Sequence, residues 1–402
     1  MANISVEQIK KLIEKIAEER DVKESLVEKA LKDAIVTAIK KGKKLPKGTN
    51  LIVEFTDEGI KPYLVELKES FEEKKRKEGE IFSIDRYRKI EGTVLHTGKN
   101  GIKVKTEKGT FFIGNLPEGK HYESGDKVVL ILIPLDISPE EVDLYAAKAA
   151  KETFLKELNE AIKEQTYREF KELEGDIVYG LVRKVLPSGD LIVDLGKIEA
   201  VLPKREQIPT ETYNVNDRIK ALLWRVEKRR GKPHLVLSRT HPLFLRRLLE
   251  NEISEIGEGK IEIKKIVREP GERAKVLVLS KDARVDPVGV ILGLRGERIQ
   301  PVSRELSGEK IDIVRYSEKP EELIKNAIVP ARAIKVNVNE SRKKAEVVVP
   351  DNQLSLAIGR RGTNVKLVHR LTGYSIDVFS ESDYKKIEAL RKQNSQSENN
   401  TP

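Results

Sequence analysis

The sequence predicts a multidomain α+β protein in which an N-terminal α/β domain and a long helix precede a small β-barrel and a tandem repeat. Three observations predict this fold class. A glycine motif occurs twice in the same context, one stretch has only strand-like segments between turn residues, and residues 140–174 contain neither glycine nor proline. At 402 residues the chain has room for roughly two to four domains.

Residues 1–137 predict a domain of two amphipathic helices and a sheet. Apolar residues keep helical spacing from Ile9 to Ile16 and again from Leu26 to Ile35. Two short helices cannot bury both apolar faces alone, so a sheet should cover them, with candidate strands at 51–53 and 63–65. This domain is the candidate for binding a protein partner.

Residues 86–135 contain strand-like pieces separated by glycines. Several of these pieces resemble later ones, such as Gly92-Thr93-Val94 beside Gly180-Leu181-Val182. We interpret residues 86–135 as a small β-barrel or barrel fragment inserted in the first domain. A chance similarity between two glycine-rich β segments is the alternative interpretation.

Residues 138–174 predict a long linker helix. Ser138-Pro139-Glu140-Glu141 has a capping serine, proline at the first helical position and glutamate at the third. An uninterrupted helix from there could reach about 50 Å at 1.5 Å per residue. We expect a spacer between two halves of the protein, and a first half that folds back on the N-terminal domain is an equal alternative.

Residues 175–240 predict a five-stranded barrel, with about five apolar strand segments separated by turn signals. The pattern resembles an OB-fold of the S1 type, a barrel that binds nucleic acid. Stacking of bases on aromatic residues has weak support here, because only Tyr179, Tyr213 and Trp224 are available and a tryptophan in a strand is usually core. The barrel's candidate RNA contacts are therefore the cations Arg183, Lys184, Lys204 and Arg205. A merely solvated charged face is the alternative.

The tandem repeat contains Gly293-Leu294-Arg295-Gly296 and Gly359-Arg360-Arg361-Gly362. Each motif follows an apolar segment, leads into a helix-like run and ends on a strand-like Ile-Asp-Ile or Ile-Asp-Val, at 311–313 and 376–378. Glycines let a sugar–phosphate backbone approach the helix N-terminus, and arginines add cations beside the phosphates.

This context resembles the KH domain, whose GxxG loop clamps about four single-stranded nucleotides. We assign a first KH domain to 241–318 and a second to 319–380. A plain helix–turn–helix that uses glycine for packing is the alternative, but it leaves the repeat and the arginines unexplained. The candidate RNA-binding residues of the two repeats are Gly293, Leu294, Arg295, Gly296, Arg298, Gly359, Arg360, Arg361, Gly362, Asn364 and Lys366.

The net charge of the sequence differs between its N-terminal and C-terminal parts. Residues 1–146 carry 27 Lys/Arg and 27 Asp/Glu, whereas residues 257–380 carry 24 and 17. The basic surplus therefore coincides with the glycine motifs, which favours a polyanion partner for the C-terminal half and a different partner for the N-terminal half. Residues 381–402 carry 4 of each charge, and we expect them to form a disordered tail.

The sequence contains no recognisable catalytic or metal centre. Cysteine is absent, the five histidines lack metal-ligand spacing, and neither a phosphate-binding loop motif nor a nucleophile elbow occurs. Asp312 and Asp377 recur in the repeat, but a structural role explains them better than metal catalysis. The N-terminus lacks an apolar signal core and no long apolar run follows. We expect a soluble, monomeric, cytoplasmic binding protein without a cofactor or a membrane contact.

The order of the segments and several strings are similar to the NusA family of bacterial transcription elongation factors. The strings are IVDLG at 192–196, EAVLP at 199–203, KIEIKKIVREPGERAKV at 260–276, VDPVG at 285–289, GEKIDIV at 308–314 and VVVPDNQLSLAIGRRGTNVKL at 347–367. The resemblance is nearly continuous from about residue 174 to 379 and looser before that.

This resemblance implies two tandem type II KH domains, an N-terminal domain that binds core RNA polymerase, and a barrel and KH surface that holds nascent RNA. It implies a regulator of elongation, pausing, intrinsic termination and antitermination, working with other antitermination factors. Residues 86–120 look like an insertion, so polymerase contacts cannot be transferred there. The chain ends soon after the second KH unit, so the acidic C-terminal repeats of some relatives, and autoinhibition by them, are expected to be absent.

Two other hypotheses fit the same modules. A free RNA chaperone or ribosome-assembly factor would carry a barrel and KH units without binding polymerase. An RNA-processing enzyme is disfavoured, because phosphorolytic ribonucleases with these modules carry large catalytic domains and the opposite module order.

Overall fold

The computed structural model describes residues 6–57, 59–78, 87–98, 100–114, 116–117, 119–137, 144–282 and 284–398, with side chains to residue 391. The chain divides into two compact units, residues 1–165 and residues 166–402. No helix among the described residues is long and apolar enough to cross a membrane. The fold class predicted from the sequence is confirmed by the elements described below.

The first unit combines helices with one sheet. Its elements are α1 (Val6–Arg20), α2 (Glu24–Gly42), β1 (Leu51–Thr56), β2 (Gly59–Leu67), α3 (Lys68–Lys77), β3 (Arg88–Gly98), β4 (Gly101–Thr106), β5 (Gly109–Ile113), β6 (Lys127–Pro134) and most of α4 (Leu144–Glu172). The strands form one six-stranded sheet in the order β1-β2-β6-β3-β4-β5, with every neighbouring pair antiparallel.

The barrel hypothesis for residues 86–135 is wrong. Strand β6 pairs with β3 on one edge and with β2 on the other, so the inserted strands extend the sheet begun by β1 and β2. Because β6 is central, Leu130, Ile131 and Leu132 are buried on both of its faces. Local glycine spacing could not reveal this pairing, since β2 and β6 are separated by about 60 residues of sequence.

Helix α4 belongs to both units. Leu158 is buried with Ile9, Val27 and Ala30 of α1 and α2, so this part of the helix folds back on the first unit. Its last turns contribute Phe170 to the core of the barrel in the second unit. The first part of α4 is therefore not a free spacer, and the alternative, a helix folded back on the N-terminal domain, describes it. The predicted start at Ser138 lies outside the described residues.

The second unit begins with the five-stranded closed barrel, as predicted. Its strands are β7 (Ile177–Val185), β8 (Leu191–Asp194), β9 (Glu199–Leu202), β10 (Arg218–Arg229) and β11 (Lys232–Ser238). They close in the order β10-β11-β9-β8-β7, with β9 and β11 parallel and all other pairs antiparallel. A Cβ atom at Gly180 would lie 2.5 Å from Val193 Cγ1, so glycine permits the close crossing of β7 and β8.

Two similar αββααβ units follow the barrel. The first comprises α5 (Pro242–Glu252), the short α6 (Ser254–Gly257), β12 (Ile261–Glu269), β13 (Arg273–Ser280), α7 (Pro287–Leu292), α8 (Gln300–Glu305) and β14 (Lys310–Arg315). The second comprises α9 (Pro320–Ala327), β15 (Lys335–Asn339), β16 (Lys344–Val349), α10 (Leu354–Ile358), α11 (Thr363–Thr372) and β17 (Ser375–Ser380). In both, an antiparallel strand pair is joined by a parallel third strand, which is the type II KH arrangement.

One face of the first KH sheet is covered by helices of the second KH unit. Val267, Leu277 and Val314 of the first sheet are buried in one cluster with Ile324 of α9 and Leu367 of α11. The first KH sheet is thus packed against helices α9 and α11 of the second KH unit. This burial joins the two repeats into one body.

The predicted disordered tail is instead largely helical, because residues 381–398 form α12. Tyr384 is 5% exposed, lies beside Phe379, and its hydroxyl accepts a hydrogen bond from Asn337. The missed signal is Ser380 followed by Asp383, whose backbone N–H donates to the serine hydroxyl at the start of the helix. Residues 399–402 lie outside the described part.

Candidate nucleic-acid interface

The two GxxG loops have the same backbone. The first glycines, Gly293 and Gly359, have φ/ψ of 70°/−172° and 75°/167°. The third residues, Arg295 and Arg361, have 55°/24° and 53°/25°, a left-handed conformation that is uncommon for a side-chain-bearing residue. The repeat read from the sequence therefore corresponds to two copies of one turn between helices.

The first glycine of each loop is required by a neighbouring side chain as well as by its positive φ. A Cβ at Gly293 would lie 2.7 Å from Arg298 Cγ, and one at Gly359 would lie 2.8 Å from Asn364 Cβ. The fourth glycine of each loop has more room: a Cβ at Gly362 would meet nothing within 4 Å, although φ there is 74°. The first glycine thus permits close packing behind the loop, and the fourth permits the turn.

Arg298 is half-buried, and its guanidinium group is held by neighbouring residues. Its guanidinium donates to both carboxylate oxygens of Glu255, at 3.1 and 2.7 Å, and to the Val290 carbonyl at 2.8 Å. This hydrogen-bonded pairing lowers the pKa of Glu255 to about 2. These donors attach the first loop to α6 and α7, and contact of Arg298 with RNA stays a prediction.

Asn364 occupies the equivalent position of the second repeat and has the same role. It is 1% exposed, and its amide donates to the carbonyls of Ile328 at 3.1 Å and Ala357 at 2.9 Å. A side chain so buried cannot reach a phosphate, so its assignment as an RNA contact is corrected. Arg298 and Asn364 each tie a loop to the helix before it.

The remaining loop side chains point to solvent. Leu294 is 75% exposed, and Arg295, Arg360, Arg361 and Lys366 are all exposed. Within the part of the chain that the structure describes, these four cations form no ion pair. Free cations beside two glycine turns at helix N-termini are the arrangement that phosphate groups require.

The barrel cations predicted from the sequence differ in availability. Arg183 donates two hydrogen bonds to Asp194, at 3.0 and 2.7 Å, and this pairing lowers the pKa of Asp194. Lys184 and Lys204 are exposed, and the side chain of Arg205 is 79% exposed, 3.7 Å from Glu206. Among the four predicted barrel contacts, Arg183 is thus the one whose charge is already balanced, by Asp194.

Sequence reasoning missed the hairpin between β10 and β11. Its residues Arg225 to Lys232 include five cations and one carboxylate, and all five cations are exposed. Glu227 lies 3.3 Å from Arg229, while the guanidinium of Arg225 stacks 4.3 Å from the Trp224 ring centroid. The run RVEKRRGK was visible in the sequence, but only the strand pairing shows that it forms one projecting turn.

A buried arginine joins the barrel to the first KH unit. Arg239 donates to Glu211 at 2.6 and 2.8 Å, to Glu305 at 3.0 Å and to the Lys220 carbonyl at 2.5 Å. Burial disfavours its charge, but the pairing with Glu211 outweighs burial and raises the pKa of Arg239. Removing one partner would leave a buried charge poorly compensated. This network therefore holds the barrel and the first KH unit in one fixed arrangement.

Two further contacts join the first KH unit to the second. Lys275, fully buried, donates to Asp312 at 2.8 Å and to the Val329 carbonyl at 2.6 Å, and burial lowers the pKa of Lys275. At the second GxxG loop, the Thr363 hydroxyl donates to Glu272 at 3.0 Å. The loop is thereby linked to the β12–β13 turn of the first KH unit.

The two repeated aspartates have structural partners. Asp312 pairs with Arg273 and Lys275, and Asp377 pairs with Lys344 at 2.7 Å. Among the described residues, no group of histidine, cysteine, aspartate or glutamate side chains has the arrangement needed to hold a metal ion.

Comparison with known proteins decides the family. Residues 172–238 match the model of the S1 RNA binding domain, residues 239–316 the NusA-like first KH domain, and residues 320–386 the NusA-like second KH domain. A protein of Halalkalibacterium halodurans named transcription termination/antitermination protein NusA is 45% identical over 259 residues, which are 64% of this chain and 68% of that protein. This chain belongs to the NusA family.

Other NusA proteins match over a similar length. Those of Bacillus subtilis and Thermus thermophilus are both 44% identical, over 64% of this chain and over 69% and 66% of their own lengths. In this NusA-family chain, the S1 match ends at 238 and the first KH match begins at 239. Arg239, at that boundary, bonds to groups on both sides of it.

Proposed function

We propose that this protein is an RNA-binding transcription factor that acts in transcription termination and antitermination while bound to RNA polymerase. It holds single-stranded nascent RNA on the two GxxG loops and on the exposed cations of the barrel, and it acts by binding rather than by catalysis. The names of its NusA relatives support the process, and their S1 and KH modules support RNA as the ligand.

One observation supports the RNA proposal most directly: two glycine turns of the same conformation, whose cations form no ion pair with described residues, lie in modules joined by buried polar contacts. The contacts of Arg239 and Lys275 hold the barrel and both KH units in one arrangement. A preorganised surface loses less entropy when a flexible strand binds than three independent modules would. The exposed cations of the β10–β11 hairpin add further positive charge to the barrel.

Unit 1 has features that favour a protein partner. Its charges balance in sequence, and it contains a cavity of about 1060 Å³ lined mainly by apolar side chains of α1, α2, β2, β6 and α4. A neutral surface with an apolar cavity suits a protein better than a polyanion. These features support RNA polymerase, which the family resemblance implies, as the partner of this unit.

The RNA proposal is tested with the full chain carrying Gly296→Asp and Gly362→Asp. Each substitution adds bulk and a negative charge where phosphates should bind, so RNA affinity should fall at least roughly tenfold. The matched control is Gly308→Asp with Gly373→Asp, because these glycines have φ of 82° and 81° and equally open surroundings but lie outside the loops. Equal affinities of the two double variants would contradict the proposal.

The polymerase proposal is tested by capture of core RNA polymerase. The full chain and a fragment of residues 1–175 should both retain the enzyme, and the loop variant should retain it as well as wild type does. In transcription from a template with a hairpin terminator, wild-type protein should change termination efficiency and the loop variant should not. RNA binding without polymerase capture would instead match the free RNA chaperone hypothesis.

A further inference from the structure

The barrel has one aromatic side chain that is free to stack. The Tyr213 hydroxyl bonds to Glu211, and Trp224 is partly buried beside α5 with its ring 5.5 Å from that of His241. Tyr179 differs, because it is 65% exposed. Its position on β7 directs the side chain outward from the barrel core, since Val178 and not Tyr179 packs against that core.

Tyr179 lies beside the junction of the barrel with the first KH unit. Ile177, the preceding outward residue on β7, packs in the cluster formed by α5 and the first KH sheet. On the neighbouring strand, Lys220 is the register partner of Tyr179, and its ammonium lies 5.7 Å from the ring centroid. The same ammonium lies 3.4 Å from Glu305 at the end of α8, the helix that follows the first GxxG loop.

The surroundings of Tyr179 carry the groups that a nucleotide needs. Arg218, the next outward residue along β10, is exposed and lines a polar cleft of about 420 Å³ between the barrel and the first KH unit. Thr210, Thr212 and Ser307 also line this cleft, together with the carboxylates of Glu211, Asp217 and Glu305. An exposed aromatic face beside the exposed guanidinium of Arg218 can accept an unpaired base and a flanking phosphate.

We propose that Tyr179 is a base-stacking site for single-stranded RNA at the junction of the barrel and the first KH unit, with Arg218 contacting an adjoining phosphate. This inference rests on the proposed RNA-binding function and extends it to the barrel. A single exposed tyrosine is ordinary on a protein surface. Tyr179 is distinguished by its position at the junction of the barrel with the first KH unit, next to Ile177 and opposite Lys220.

The chain provides a closely matched control. Tyr145, in the first unit, is also 65% exposed and also has a lysine ammonium, that of Lys41, 5.2 Å from its ring centroid. The two tyrosines therefore share exposure and a cation–π contact but differ in location. Both can be replaced without disturbing a core, so the variants should fold like wild type.

The experiment measures the affinity of the full chain for a fluorescently labelled single-stranded RNA of mixed sequence, long enough to span the barrel and both loops. Loss of one stacked base should weaken binding of Tyr179→Ala by roughly 5- to 100-fold. Tyr179→Phe keeps the ring and should stay within about twofold of wild type, and Tyr145→Ala should be unchanged.

The outcomes separate the two proposals. Binding by Tyr179→Ala equal to that by Tyr145→Ala, while the loop variant is impaired, overturns the stacking site and leaves the proposed function standing. Failure of wild-type protein to bind the RNA overturns both. An equal loss in Tyr179→Phe and Tyr179→Ala would also overturn stacking, because it would assign the effect to the hydroxyl group.

Discussion

The free arginines of the GxxG loops lead to a quantitative prediction about salt. Arg295→Gln, Arg360→Gln and Arg361→Gln, combined in the full chain, remove three exposed guanidinium groups that form no ion pair with described residues. The backbone of the loops is unaffected, because the glycines remain and the replaced side chains point to solvent. The triple variant should therefore fold normally and bind RNA less tightly.

The magnitude follows from counterion release. Each phosphate contact on a single strand contributes about −0.7 to the slope of log K against log salt concentration. Three lost contacts should therefore make that slope shallower by about 2. Between ~50 and ~200 mM salt, wild-type protein should lose roughly 20-fold more affinity than the variant, so that their affinities converge as salt rises.

The assay is an RNA titration repeated at several salt concentrations with the wild type, the triple variant and a charge-matched control. Lys10→Gln, Lys11→Gln and Lys15→Gln in α1 serve as the control, since they remove the same net charge from exposed positions in the first unit. Thermal unfolding of each protein shows that the substitutions leave the fold intact.

Two results would refute this reasoning. A triple loop variant with the wild-type slope would mean that the loop arginines do not contact phosphates. A control that changes the slope as much as the loop variant would mean that net charge, and not position, governs affinity. A parallel shift of the curves, with reduced affinity at every salt concentration but the same slope, would point to a loss of nonionic contacts.

Three further predictions concern stability. Gly359→Ala should lower the free energy of unfolding, measured with urea, by about 2–3 kcal/mol, because the new methyl group meets Asn364 and φ is positive. Gly362→Ala, where the methyl group enters open space, should lower it by only about 1 kcal/mol. Arg298 lowers the pKa of Glu255 from 4.5 to about 2. In thermal melts, Glu255→Gln should therefore be less stable than wild type above about pH 4.5, and the difference in melting temperature should shrink as the pH falls toward 2. Tyr384→Ala should lower stability by about 3 kcal/mol and increase binding of an apolar dye, since it uncovers the second KH sheet.

Much of the fold could be predicted because its signals are local. The two glycine turns, the barrel strands and the long helix each rest on spacing or turn chemistry within a short window, and the structure has all of them. The sequence also predicts strands within residues 86–135, but it does not predict which strands they pair with. Pairing of β6 with β2 depends on a distant segment, and no local pattern encodes it. Residues 381–398 were missed for a similar reason, because α12 is held by burial of Tyr384 against the second KH sheet.

Sequence alone predicts the candidate RNA contacts: two GxxG turns, each with arginine, in the basic half of the chain. The folded chain shows which of the nearby polar side chains remain available. Arg298 is paired with Glu255, 43 residues away, and Asn364 is buried under its own loop, whereas Arg295 and Arg361 stay free. The physical reason is that a side chain's availability depends on whether a distant segment supplies a counter-charge or covers it, and only the folded chain brings those segments together.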